Sequence, residues 1–88
     1  MMSNKAYYII LENTVLLSKK EYSDWREIQD EHYENYKTNF PPLMLNELLQ
    51  YFNDDFKEEK YWPFKKESII EFFDSDDIIL LGNNPAIF

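Results

Sequence analysis

Residues 18–37 read SKKEYSDWREIQDEHYENYK and form the longest stretch of the chain with a single periodicity. At about 100° per residue, its larger side chains fall within one arc of a helix. These side chains are Tyr22, Trp25, Gln29, His32, Tyr33 and Tyr36, with Ile28 at the margin. Ser18 followed by Glu21 is typical of a capping box at a helix start. The stretch therefore predicts an amphipathic helix over residues 18–37, which ends before Pro41 and Pro42.

The opposite arc of this predicted helix carries four carboxylates at spacings of three, four and three residues. They are Asp24, Glu27, Glu31 and Glu34. On a helix that rises about 1.5 Å per residue, such a row is roughly 15 Å long. An acidic row of this kind is either an ordinary solvated helix face or a surface for a cationic partner.

The residues before this helix predict a β-hairpin. Residues 6–11 and 14–17 are rich in β-branched, aromatic and leucine side chains, which favour strands. Glu12 and Asn13 lie between the two runs as a turn, in which asparagine tolerates positive φ. Residues 1–4 are predicted to be a loose start of the chain.

The residues after the helix predict two further helices and a strand. Apolar side chains recur at helical spacing over residues 43–52 and again over 65–73. The charged segment 56–64 between them predicts a loop with some extended character. An aspartate-rich break precedes a compact strand over 78–81. A turn and a short extended end are predicted over 83–88.

This order of elements predicts an α+β fold in one compact domain over residues 1–88. The predicted sheet is small, antiparallel or mixed, and combines the N-terminal hairpin with the C-terminal strand. Two to three helices are predicted to pack on one of its faces. The last strand is placed in this sheet because a lone strand cannot satisfy its backbone hydrogen bonds.

The composition limits the partners that the chain can have. It contains 17 acidic and 9 basic residues, for a formal net charge of −8. Such a domain is repelled by nucleic-acid phosphates and by anionic membranes, so we expect a basic protein as partner. There is no cysteine, which fits a reducing cytoplasm, and no apolar run approaches the roughly 20 residues of a membrane span.

The sequence predicts no catalytic or metal-binding constellation. His32 is the only histidine, and no partner for acid–base chemistry is evident beside it. Asp74, Asp76 and Asp77 form the densest acidic cluster, but they lack the spacing of a calcium loop. A glycine-rich phosphate loop is excluded because Gly82 is the only glycine. We therefore expect a protein that is not an enzyme and that needs no metal or cofactor.

Aromatic side chains among charges add a second candidate surface. Tyr61, Trp62 and Phe64 lie in the charged segment, where they either form interface hot spots or fold over the core. Ten residues are predicted to contact a partner: Asp24, Glu27, Glu31, Glu34, Asp54, Asp55, Glu58, Glu59, Tyr61 and Trp62.

These observations favour a small acidic inhibitor that masks a basic protein. The most concrete hypothesis is a bacterial immunity protein or antitoxin that covers the positively charged site of a nuclease toxin. One alternative is a phage anti-defence protein that mimics nucleic acid, with carboxylates in place of phosphates. Another is a non-catalytic accessory domain that forms homo-oligomers through its aromatic surface.

Overall fold

The computed structural model of the chain describes residues 5–82, which form a five-stranded antiparallel sheet and three α-helices. In chain order, the elements are β1 (Lys5–Leu11), β2 (Val15–Ser18), α1 (Trp25–Glu31), β3 (Tyr36–Asn39), β4 (Leu43–Met44), α2 (Leu45–Phe56), a 3-10 turn (Glu59–Tyr61), α3 (Lys66–Asp74) and β5 (Ile79–Gly82). The predicted α+β class is confirmed, and so is the sheet that joins the hairpin to the C-terminal strand. The predicted start over 1–4 and the turn and end over 83–88 lie outside the described residues.

β1 lies inside the sheet, whose strand order is β3-β1-β2-β5. β3 and β4 follow one another along the same edge of β1. Between them, the Phe40 N–H still donates to the Tyr8 carbonyl at 2.9 Å, but the next two residues are Pro41 and Pro42. Because proline has no backbone N–H, the ladder is interrupted there and the two strands are separate.

Helices pack against both faces of the sheet. Alternate side chains of a strand point to opposite faces, so Tyr8 belongs to one face and Ile9 to the other. Tyr8 packs in the larger core with Phe52 of α2 and Phe72 of α3, whereas Ile9 packs in a smaller cluster with Ile28 of α1. Two helices therefore share one face, as predicted, and α1 lies on the opposite face.

The helix predicted over residues 18–37 is too long, since α1 spans only Trp25–Glu31. At its start, the prediction was wrong about the role of Ser18. This residue is fully buried at the end of β2, and its hydroxyl lies 3.1 Å from the Tyr22 hydroxyl, so it caps no helix. The cap is Asp24, whose carboxylate accepts the Arg26 N–H at 2.9 Å. Ser18 joins the sheet because pairing with β1 and β5 satisfies its buried backbone.

The predicted helix also extends too far at its end. α1 stops at Glu31, and the His32 N–H closes it by donating to the carbonyls of Ile28 and Gln29, both at 3.2 Å. The buried strand β1 has a second edge, whose N–H and C=O groups need partners. Tyr36–Asn39 supply them as β3, so pairing in the sheet overrides the local helical pattern.

The second helix begins and ends later than the predicted range of 43–52. Met44 pairs with β1, and its N–H then donates to the Glu47 carboxylate at 2.8 Å, which caps α2. α2 continues to Phe56, whose ring lies 5.9 Å from the Phe52 ring at the border of the core. Packing of this ring accompanies the extension of the helix beyond residue 52, through Asp54 and Asp55.

The charged segment between α2 and α3 folds back onto the core, where Trp62 and Phe64 are buried. β5 meets this segment at Gly82. A Cβ added there would lie 2.5 Å from the Phe64 ring and 2.7 Å from the Pro63 carbonyl oxygen, so a larger residue does not fit without movement.

α3 and β5 each lie within one residue of their predicted ranges.

Candidate protein-binding surface

α1 rests on the sheet through a single buried side chain, Ile28. The helix has seven residues, which make about two turns. Trp25 at its start is 53% exposed, and Tyr33 in the turn after it is 75% exposed. The sequence predicted both rings in the apolar stripe of an amphipathic helix, which is the side that packs on a core. This prediction is wrong because the short helix turns Ile28, at the margin of that stripe, towards the sheet.

Acidic side chains flank these aromatic residues along the chain. Residues 24–34 contain five acids and one arginine, and all five acidic residues are exposed. The set that we name the α1 surface consists of Asp24, Trp25, Glu27, Asp30, Glu31, Tyr33 and Glu34. It contains the four acids of the predicted row and adds Asp30 and the two aromatic rings.

The four predicted acids do not form one helical row, because α1 contains only two of them. Asp24 precedes the helix as its cap, and Glu34 follows its end. The Glu27 carboxylate accepts the Ser23 N–H at 3.1 Å, so Glu27 and Asp24 together start α1. The acids are therefore spread over a helix and the turn that follows it.

Glu31 is held by two neighbouring side chains. Its carboxylate accepts hydrogen bonds from Lys20 Nζ at 2.6 Å and from the Tyr22 hydroxyl at 3.0 Å. The hydrogen bond from Lys20 holds the pKa of Glu31 below its usual value. An exposed ion pair of this kind contributes little to stability because water and salt screen it, so its main effect is to orient the carboxylate.

The remaining predicted contact residues lie on the other side of the sheet, around the end of α2. They are Asp54, Asp55, Glu58, Glu59, Tyr61 and Trp62. The four acids and Tyr61 are exposed, whereas Trp62 is 9% exposed and its ring lies 5.5 Å from the Phe52 ring. The buried Trp62 Nε1 has no hydrogen-bond partner among the described residues. Trp62 is thus part of the core, and Tyr61 is the aromatic residue that a partner could reach here.

Lysines balance the acids of this second region. Residues 54–66 contain four acids and four lysines. Lys60 Nζ lies 3.8 Å from the Glu58 carboxylate, and Lys57 and Lys66 line the same shallow pocket as Glu58. The end of α2 therefore lacks the excess of negative charge that the α1 surface has.

No protein-family model, no curated protein and no solved structure matches this chain. In residues 5–82, no helix is long and apolar enough to cross a membrane. Within the same range, no group of three or more histidine, aspartate or glutamate side chains is arranged to hold a metal ion. A proposal for the function must therefore be based on the chemistry of the α1 surface itself.

Two consecutive lysines tie this surface to the rest of the fold. Lys19 Nζ donates to the Ser75 carbonyl at 2.8 Å, at the end of α3, and lies 4.4 Å from the centre of the Phe72 ring. Lys20 pairs with Glu31 at the end of α1. Neither helix has a basic residue in its last turn, and a cation near a helix C-terminus interacts favourably with the carbonyl groups exposed there. The β2–α1 connection therefore secures helices on both faces.

Proposed function

We propose that this chain is a small, non-catalytic, acidic protein that binds a basic protein through the α1 surface and inhibits it. The observation that carries the proposal is the exposure of Trp25 and Tyr33 beside five exposed acidic residues. Aromatic side chains are enriched among the residues that dominate binding at interfaces. Carboxylates around them attract a cationic surface and set its orientation.

The most concrete form of this function is that of a bacterial immunity protein or antitoxin, which neutralises a nuclease toxin in the cytoplasm. A nuclease holds the phosphates of its substrate on a positively charged surface. A protein with a net charge of −8 is steered towards such a surface and blocks it once bound. Inhibition by occupation of the site requires neither a metal nor a cofactor.

The two predicted contact regions cannot serve one flat partner surface together, because α1 and α2 pack on opposite faces of the sheet. The excess of acids on the α1 surface supports this face as the binding face. Mimicry of nucleic acid requires a continuous row of carboxylates in place of phosphates. The end of α1 at Glu31 interrupts that row, so no observation favours this alternative.

A capture experiment tests the proposed function. The purified chain is used as bait in a lysate of its source cells at low salt, and bound proteins are then released at high salt and identified by mass spectrometry. We expect a single basic protein that salt releases, because exposed charge contacts are screened at high ionic strength. Recovery of the bait alone would contradict the proposal.

Asp30 and Glu34 allow the α1 surface to be tested without disturbing the helix cap or the Lys20–Glu31 pair. The double variant Asp30→Lys, Glu34→Lys should slow association with the captured partner by about tenfold or more at low salt. The control, Glu58→Lys with Glu59→Lys, changes the net charge equally at the end of α2 and should have a much smaller effect.

Equal slowing by the two double variants would show that only the net charge matters. An unchanged association rate in the α1 variant would exclude the α1 surface as the binding face. After either result, the binding site of a captured basic partner would have to be sought elsewhere on this chain.

Self-association through β5 is a second candidate function. Ile78, Ile79 and Leu81 are 48%, 42% and 69% exposed, and β5 is an edge strand of the sheet that residues 5–82 form. Exposed apolar edge strands tend to pair with strands of other chains. Light scattering across a concentration series should then show a dimer that Leu81→Lys abolishes, and a strict monomer would exclude this function.

A further inference from the structure

An open groove lies beside Trp25, between α1 and the connection from β3 to β4. Its volume is about 540 Å³, which is within the range of about 300–1,000 Å³ that is typical of ligand sites. Its lining is mainly aromatic side chains and prolines, with one carboxylate, and includes Tyr7, Asp24, Trp25, Tyr36, Pro41 and Pro42. No lysine or arginine of residues 5–82 lines it.

The walls of this groove are held in place by contacts within the chain. The Tyr36 hydroxyl donates to the Asn39 side-chain oxygen at 2.5 Å, and the Tyr7 ring meets the Tyr22 ring edge-on at 5.0 Å. The backbone at the two prolines has a fixed φ. Because these walls need not be ordered on binding, a ligand would lose less free energy to conformational entropy.

The chemistry of the groove suits a cation. The face of an aromatic ring attracts a guanidinium or ammonium group, and within this chain the Arg26 guanidinium already lies 5.7 Å from the centre of the Trp25 ring. Asp24 Oδ1 accepts the Arg26 N–H at 2.9 Å. A carboxylate has two oxygens that accept about four hydrogen bonds, so Asp24 is able to accept bonds from a further donor.

We infer that this groove binds one arginine side chain of the basic partner, with its guanidinium stacked on Trp25 and hydrogen-bonded to Asp24. The inference rests on the proposed function, because it names the partner residue that the α1 surface receives. Arginine suits the groove better than lysine, since a planar guanidinium stacks on a ring and also forms paired hydrogen bonds with a carboxylate. An anionic side chain would be repelled by Asp24.

Nuclear magnetic resonance with small probes tests the groove directly. The chain has two tryptophans, and the indole N–H signal that Trp25→Phe removes is that of Trp25. N-acetyl-arginine amide should shift this signal saturably at millimolar concentration, because a single side chain makes few contacts. N-acetyl-citrulline amide has the same shape without the charge, and it should bind at least about fivefold more weakly at equal ionic strength.

Three results of the probe titrations would overturn the inference. The first is that the arginine probe causes no saturable shift of the Trp25 signal. Equal affinity for the citrulline probe would show that the groove does not select a cation. Equal affinity for N-acetyl-lysine amide would show that it does not select a guanidinium.

Three variants locate the bound probe. Asp24→Asn keeps a good N-cap residue and removes the charge, so arginine binding should weaken by about fivefold or more while citrulline binding stays the same. Arg26→Gln removes the cation that competes for the Trp25 ring and should strengthen arginine binding. The matched control is Tyr61→Ala, which removes another exposed ring with a lysine 5.1 Å from its centre but outside the groove. Equal weakening by Tyr61→Ala and Asp24→Asn would indicate non-specific binding and overturn the inference.

The inference and the proposed function fail in different ways. If the arginine probe binds at Trp25 but the lysate yields no basic partner, the groove is supported and the proposed function is contradicted. If a basic partner is captured and binds the Trp25→Ala variant as tightly as the unaltered chain, the proposed function is supported and the groove is overturned.

Discussion

The substitution Phe52→Ala tests the larger core most directly. Phe52 is fully buried in α2, and the centre of its ring lies 5.2 Å from that of Tyr8, 5.5 Å from Trp62 and 6.0 Å from Phe64. Removal of a buried phenylalanine ring costs about 3–5 kcal/mol, through lost burial and the cavity left behind. We expect the upper part of this range, because the surrounding rings are stiff and collapse poorly into the space.

This loss is large relative to the stability of the whole chain. At about 0.05–0.15 kcal/mol per residue, 88 residues give a free energy of unfolding of roughly 4–13 kcal/mol. Urea unfolding followed by near-ultraviolet circular dichroism measures the change. With a slope of about 1–1.5 kcal/mol per molar urea, the midpoint should fall by about 2–5 M, or the variant should be unfolded without urea.

The control for this experiment is Phe73→Ala. It removes the same ring from a partly buried position in α3, at the border of the same core, and should cost about half as much or less. A loss below about 1 kcal/mol in Phe52→Ala, or equal losses in the two variants, would refute the placement of Phe52 at the centre of the core.

Three further changes test other parts of the structure. Ile28→Ala removes the only buried side chain of α1, so the amides of residues 25–31 should lose hydrogen-exchange protection while those of α2 keep theirs; retained protection in α1 would contradict this. Gly82→Ala should destabilise the fold by about 1–3 kcal/mol in thermal unfolding, because the added methyl group overlaps the Phe64 ring, and an unchanged melting temperature would refute the overlap. Burial raises the pKa of Tyr8, so the folded chain keeps this proton to higher pH than the unfolded chain, and stability is lost as the pH rises above about 10. Tyr8→Phe should reduce that loss in urea unfolding between about pH 9 and 11, and an unaltered pH dependence would count against this cause.

The sequence predicted those parts of the fold in which local pattern and tertiary packing agree. The hairpin follows from apolar runs on both sides of Glu12 and Asn13, and α3 follows from apolar residues at helical spacing. β3 was missed because Tyr36 also continues the helical spacing of the stretch before it. Nothing in the local pattern shows that β1 has a second edge, and the need to pair that edge is what ends the helix.

For the α1 surface, the sequence predicted four of the five acidic residues, all except Asp30, but neither of the two aromatic rings. A helix that began at Ser18 placed Trp25 and Tyr33 in its apolar stripe. A better signal was present, because Asp24 followed three residues later by Glu27 is itself a capping pattern. Recognising it would have started the helix where it does start. The burial of Trp62 had no such signal, because charged neighbours along the chain conceal a ring that packs on distant elements.

In the sheet formed by residues 5–82, β5 is an edge strand, and this affects the behaviour of the chain at high concentration. In natural proteins, lysine or proline in an edge strand commonly prevents it from pairing with strands of other chains. Residues 78–82 contain neither. If the chain is a monomer at neutral pH, its net charge of −8 is what keeps copies apart, by mutual repulsion. Near the isoelectric point of about 4.5 this repulsion vanishes, so mild acid should precipitate protein that is still folded. A bound basic partner would cancel the same charge, and loaded complexes are therefore the species expected to stack edge to edge.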